Sequence, residues 1–189
     1  KSAASQWFET QGITVVDADV VAREVVAQGQ PALAQIQQQF GDWVLLESGE
    51  LNRAALREYI FKDASARQQL EAITHPAIRA SIIQQLTAAT SPYVILVSPL
   101  LFETHQHQLT DRSLLVDAPI EHQIARASQR DGQSIQQIEK IIQVQMSREK
   151  KLTLAHDVVL NDGDLNHLYA QLEKLHQNYL KLSHNHKPS

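Results

Sequence analysis

Four short apolar runs constrain this chain more than any other feature: Ile13-Thr14-Val15-Val16, Val94-Ile95-Leu96-Val97, Leu114-Leu115-Val116 and Val158-Val159-Leu160. Each is continuous and rich in branched aliphatics. A strand with one wet face would alternate apolar with polar; an unbroken run suits a parallel strand covered on both faces. Helical stripes lie between and after the runs. Ile78, Ile82, Ile83 and Leu86 form one; Ile135, Ile138, Ile141, Ile142 and Met146 a second; Leu165, Leu168, Leu172, Leu175, Tyr179 and Leu182 a third. Strands alternating with helices predict an α/β fold, a parallel sheet flanked by helices, of the doubly wound kind.

The stretch from Asp17 to Tyr93 breaks this alternation. It carries only helical signals, over residues 19–28, 31–40, 52–61, 65–74 and 76–89, punctuated by Gly41, Gly49 and Pro76. One crossover helix needs far fewer residues. The segment 29–73 is therefore read as a helical insertion in a core of residues 1–28, 74–130 and 155–182. The polar, basic, helical segment 131–154 predicts a lid, and the polar end 183–189 a frayed tail. All of it reads as one domain, since 189 residues bury enough surface for a core, roughly 70% of the unfolded total. The stripe from Leu165 to Leu182 spans too few heptads for a coiled coil, so a terminal helix docked on the core is expected.

The absence of cysteine excludes disulfides and thiolate metal sites. No run resembles a secretory leader or the ~20 apolar residues that span a bilayer, so a soluble cytoplasmic protein without membrane association is expected. A net charge of -4 argues against a general nucleic-acid binder. Within that acidic chain, Arg126, Arg130, Lys140, Arg148, Lys150 and Lys151 outnumber Asp131, Glu139 and Glu149. Such a segment suits an anionic ligand of limited size; its bland alternative is a solvated helix face.

Ligands of open parallel sheets bind beyond the carboxyl ends of the strands. Each apolar run here ends in polar residues: Asp17 and Asp19; Ser98-Pro99 with Glu103 shortly after; Asp117; Asn161-Asp162-Gly163. Any one of these is an ordinary turn former, but four together suggest a site. Asp17 and Asp19 would lie on opposite sides of an extended strand end, unless Asp19 caps the following helix. Asp19 also suits a general base. His105-x-His107 lacks further ligands at metal spacing and is read as surface, as is His184-Asn185-His186.

Lys1-Ser2 is the pair that ends a phosphate-binding loop. It is followed by Val16-Asp17-Ala18-Asp19-Val20-Val21-Ala22-Arg23, Leu51-Asn52-Arg53-Ala54-Ala55-Leu56, His75-Pro76, Val97-Ser98-Pro99-Leu100-Leu101-Phe102-Glu103, Gln123 with Arg126 and Arg130-Asp131, and Asn161-Asp162-Gly163. In this order and spacing the whole chain resembles the dephospho-coenzyme A kinase family. The resemblance implies a P-loop fold like that of nucleoside monophosphate kinases, with a helical substrate-binding insertion and a helical lid. It also implies a strand and glycine-rich loop immediately before Lys1. The implied reaction is transfer of the γ-phosphoryl of ATP to the 3′-hydroxyl of dephospho-coenzyme A, the last step of coenzyme A synthesis.

On that resemblance Lys1 would reach the β/γ-phosphates and Ser2 would ligate Mg²⁺. Asp19 would face the acceptor hydroxyl as catalytic carboxylate, with Asp17 in support. Arg126 and Arg148, ahead of Arg130, would contact phosphate, since a guanidinium fork grips its oxygens in pairs. Asn161 would lie near the adenine. Arg23, Arg53 and His75 would face dephospho-coenzyme A, although His75 could instead cap the helix begun by Pro76. A monomer or weak homo-oligomer is expected. The alternatives are another P-loop small-molecule kinase and a catalytically silent nucleotide-binding protein.

Overall fold

A computed structural model describes residues 3–118 and 145–185. The chain divides into two units, Lys1–Val15 with Thr90–Ser189, and Val16–Ala89.

The first unit begins with α1 (Ala3–Thr10), whose Ala4, Ser5 and Phe8 point inward at helical spacing. Gly12, at φ 78°, lets the chain leave the helix and enter β1 (Thr14–Asp17). That strand gives Thr14 and Val15 to this unit. The unit continues with β2 (Val94–Val97) and β3 (Leu114–Asp117). Its described elements end with α6 (Arg148–Leu154), β4 (Asp157–Leu160) and α7 (Leu165–Asn185). The four apolar runs are thus the four strands among the described residues, each within a residue of its expected bounds.

Their pairing differs from one continuous sheet. Among the described residues β1 pairs with β2, and β3 pairs with β4 in parallel, Leu114 opposite Asp157 and Asp117 opposite Leu160. Both pairs nevertheless feed one core. Val15, Ile95, Leu114 and Val116 pack around Phe8, Ile13, Val159, Leu168 and Leu172. Nor is every strand covered on both faces: Val159 is buried, but Val158 and Leu160 are 46% and 37% exposed. A continuous apolar run permits two-sided burial; the elements packed against it decide whether burial occurs.

α7 docks on that core through Leu168, Leu172 and, unexpectedly, His176. The buried imidazole is satisfied by the Tyr93 hydroxyl, 2.6 Å from its Nδ1, and stands edge-on to Trp7. Leu165 and Leu182, expected on the inward stripe, are largely exposed. Helix persists through Ser183–Asn185, where fraying was expected. The Ser183 hydroxyl and His184 Nδ1 both donate to the Leu180 carbonyl there, adding side-chain bonds to the last turns.

The second unit is helical: α2 (Ala18–Glu24), α3 (Pro31–Phe40), a 3₁₀ turn (Asp42–Val44), α4 (Arg53–Lys62) and α5 (Ala64–Ala88). Pro31 starts α3, where its missing N–H is no loss. Val26, Ala32, Ile36, Val44 and Leu56 form a core of their own, with Leu70 and Ile73 of α5 against it. The unit takes in α2 and all of α5, on either side of the insertion read at 29–73.

Two helices were expected across Pro76; there is one, with Pro76 inside it. Proline removes one backbone bond and crowds the carbonyl four residues back. In α5 that cost is offset by packing against α2, α3 and α4. The break between α4 and α5 comes instead at Asp63, which ends α4 and caps α5 by accepting from the Ser65 and Ala66 N–H groups at 2.9 and 3.0 Å. Asp63→Ala is expected to cost about 1 kcal/mol, read as a lowered urea midpoint. An unchanged midpoint would show that the cap contributes nothing.

Candidate active site

Within the first unit the carboxyl ends of the strands gather charged side chains. Ser147 caps α6 by accepting from the Lys150 N–H, which sets Arg148 at the first helical position. Its guanidinium grips Asp117, the last residue of β3: Nε donates to Oδ1 at 2.7 Å and Nη2 to Oδ2 at 2.6 Å. The Asp117 side chain is 8% exposed and that of Arg148 45%. Hydrogen bonding from Arg148, aided by its charge, holds the Asp117 carboxyl below the usual carboxylate range even though burial opposes this; the same bond raises Arg148.

Beside this pair, the Asn161 N–H donates to the Asp117 carbonyl at 2.7 Å, just past β4. The Asn161 Oδ1 is buried and has no hydrogen-bond partner among the described residues. After β2, the Glu103 Oε1 accepts from the Met146 N–H at 2.7 Å and lies 3.7 Å from Lys151 Nζ, while its Oε2 is buried and unpartnered. Three strand ends thus contribute polar groups. Asp117, Glu103 and Lys151 had been read only as strand-end polar groups and basic-segment charge, with no role assigned to them. Their signal was position alone: Asp117 ends β3, Glu103 follows β2, and Lys151 lies one helical turn from Arg148.

The Asp117–Arg148 pair has a definite pH signature. A carboxyl lowered in the folded state contributes stability in full above its ordinary value, near 3.9, and loses it as pH falls through the lowered value. Asp117→Asn is therefore expected to destabilise the protein at neutral pH, with the gap from the parent protein narrowing below about pH 4. Urea unfolding from pH 7 to pH 2 measures this. A gap constant across that range would remove the ion pair as its cause.

The second unit holds the other carboxylates. Asp17, not Asp19, caps α2: its Oδ1 accepts from the Asp19 N–H at 2.9 Å. The correction follows from where the strand stops. Helix begins at Ala18, so Asp19 lies in the first helical turn and strand alternation no longer governs its direction. Its carboxylate is exposed and has no hydrogen-bond or ion-pair partner among the described residues. The structure brings Arg23 and Arg53 together, the Arg53 Nη2 donating to the Arg23 carbonyl at 3.4 Å. His75 is exposed in the interior of α5, so it caps no helix. Lys1, Ser2, Arg126 and Arg130 lie outside the described residues, as does most of the 131–154 segment.

An α/β scaffold with carboxylates and an arginine-bearing helix at its strand ends has the parts that a phosphotransferase uses. Comparison with known proteins makes the class specific. The dephospho-CoA kinase (CoaE) family model matches residues 1–167, and the chain belongs to that family. It is 72% identical over 180 residues to the dephospho-CoA kinase of Acinetobacter baylyi, covering 95% of this chain and 92% of that protein. It is 53% identical to that of Psychrobacter cryohalolentis, covering 97% and 81%. The crystal structure of TT1252 from Thermus thermophilus superposes with a TM-score of 0.77 at 28% identity, covering 92% of this chain and 88% of that one. Dephospho-CoA kinase from Campylobacter jejuni shares the fold, with a TM-score of 0.70 at 24% identity, covering 95% and 92%.

Proposed function

We propose that this chain transfers the γ-phosphoryl of ATP to the 3′-hydroxyl of dephospho-coenzyme A. Family membership sets the reaction, and one observation carries its assignment to residues. Asp17 performs the capping of α2, which leaves the Asp19 carboxylate, two residues on, open to solvent and without a hydrogen-bond or ion-pair partner among the described residues. An exposed carboxylate in the first helical turn just past a strand end suits a general base. The 3′-oxygen attacks the γ-phosphorus, the bond to the β-bridging oxygen breaks, ADP departs, and Asp19 takes the hydroxyl proton. Arg148 and Arg126 offset charge on the moving group, and Lys1 does so at the β/γ-phosphates. Asp17 supports Asp19 through the bond it already makes. Arg23, Arg53 and His75 bind the acceptor.

ATP fits one observed feature. The orphaned Asn161 Oδ1 is an acceptor in want of a donor, and an adenine amino group is such a donor. Among the described residues no group of three or more His, Asp or Glu could hold a metal ion by itself. Mg²⁺ would arrive with the nucleotide, as is usual, with Ser2 as a protein ligand, and would neutralise phosphate charge. No described helix is long and apolar enough to cross a membrane, and we place the protein in the cytoplasm as a monomer or weak homo-oligomer.

The test is ADP release coupled to dephospho-coenzyme A, with the product located by ³¹P resonance. Acceptor-dependent ADP and a new 3′-phosphomonoester are expected. ATP binding without turnover would favour a silent nucleotide-binding protein; turnover only with another alcohol would favour a different small-molecule kinase.

A further inference from the structure

A second cavity in the first unit has a chemistry the kinase reading does not use. It measures about 360 Å³ and lies among the loop after β2, α6, and the amino-terminal ends of β3 and β4. Its described polar lining is basic or neutral: His105, His107, Arg112, Lys150 and His156, with Thr110 and Ser113, and no carboxylate among the described residues. Phe102 and Leu154 supply an apolar wall. That volume lies in the range of small-molecule sites, which combine apolar walls with a few convergent polar groups.

The charges differ in availability. Both arms of the Arg112 fork are on Asp157, at 3.0 Å each, and the Tyr179 hydroxyl donates to the same carboxylate at 2.9 Å. Arg112 is therefore balanced where it stands. Lys150 has no ion pair among the described residues. His156 Nδ1 accepts from the Ser113 backbone N–H at 3.1 Å, so the ring proton sits on Nε2, which is left as a donor. His107 Nδ1 is buried without a hydrogen-bond partner among the described residues. The histidines do not form a metal site, since no group of three His, Asp or Glu among the described residues has the required arrangement. The exposed Lys150 ammonium and the His156 Nε2–H beside an apolar wall suit an anion with an apolar body.

We propose that this cavity binds a small organic anion carrying a short apolar chain, the charged head at Lys150 and the imidazoles and the chain along Phe102 and Leu154. Two of these contacts, Lys150 and Leu154, lie on the same seven-residue helix as Arg148. An occupant therefore touches the helix that holds Asp117. The site is separate from the residues assigned to phosphoryl transfer, and its failure leaves that reading intact.

Hexanoate is the probe, with binding followed by calorimetry and by the histidine ring resonances of the whole protein. Saturable binding is expected, with shifts of His105, His107 and His156. Hexanamide, equal in shape but uncharged, and inorganic phosphate, charged but without a chain, should each bind at least about tenfold more weakly. Lys150→Glu and, separately, Leu154→Glu should each weaken hexanoate by a similar factor. Both positions are exposed, so folding should survive, which thermal melting checks. No saturable hexanoate binding, equal binding of hexanamide or phosphate, or indifference to both substitutions would each overturn the proposal.

Discussion

Asp19→Asn is expected to lower turnover by about 10²–10⁴-fold while leaving ATP affinity nearly unchanged. The amide keeps the size of the carboxylate but cannot take the proton of an attacking hydroxyl. Because Asp19 makes no described contact, the substitution removes little else. The one structural loss is a negative charge in the first turn of α2, where it favours the helix by about 0.3–1 kcal/mol. Asp17→Asn is the control that separates chemistry from folding. Asparagine caps helices about as well as aspartate, so α2 should remain and any loss of turnover would report on chemistry. Single-turnover phosphoryl transfer at saturating ATP and dephospho-coenzyme A makes the measurement. A near-normal rate for Asp19→Asn would remove this residue from the mechanism, whatever the fate of Asp17.

The strands were legible because their cause is local. Branched aliphatics in unbroken runs have few other uses, and β1 to β4 coincide with Ile13–Val16, Val94–Val97, Leu114–Val116 and Val158–Leu160. How they pair was not legible, since ladder partners depend on what lies between distant segments. The two-residue contest between Asp17 and Asp19 shows a finer limit. Both are good caps, and only the last extended residue of β1 decides between them. Pro76 misled for a related reason: a strong local break signal yields when a long helix is held on several sides by its neighbours. His176 was not among the residues read as inward-facing, and its burial required Tyr93, 83 residues earlier, to supply the hydroxyl. The site was half visible. Strand-end acids and basic residues could be read, but the match of Arg148 with Asp117 could not, because the two are 31 residues apart and nothing in either sequence neighbourhood names the other.

That match shapes the second large effect. Arg148→Ala is expected to slow phosphoryl transfer by about 10²–10³-fold, the loss typical of one donor that stabilises transition-state charge, with little change in ATP affinity. Arg148→Lys should recover little of it, because an ammonium keeps the charge but not the two-armed geometry now satisfied by both Asp117 oxygens. The pair could instead matter only as a brace between β3 and α6. Asp117→Asn separates the two cases. It weakens the brace yet leaves the guanidinium in place, so a brace-only role predicts a loss for Asp117→Asn in proportion to the bonds given up, and no further loss when it is added to Arg148→Ala. A role on phosphate predicts that Arg148→Ala is much the slower, and that Asp117→Asn affects stability more than rate. Should Arg148→Ala retain the parent rate at saturating ATP, its guanidinium serves Asp117 alone and the charge on the transferred phosphoryl is met elsewhere.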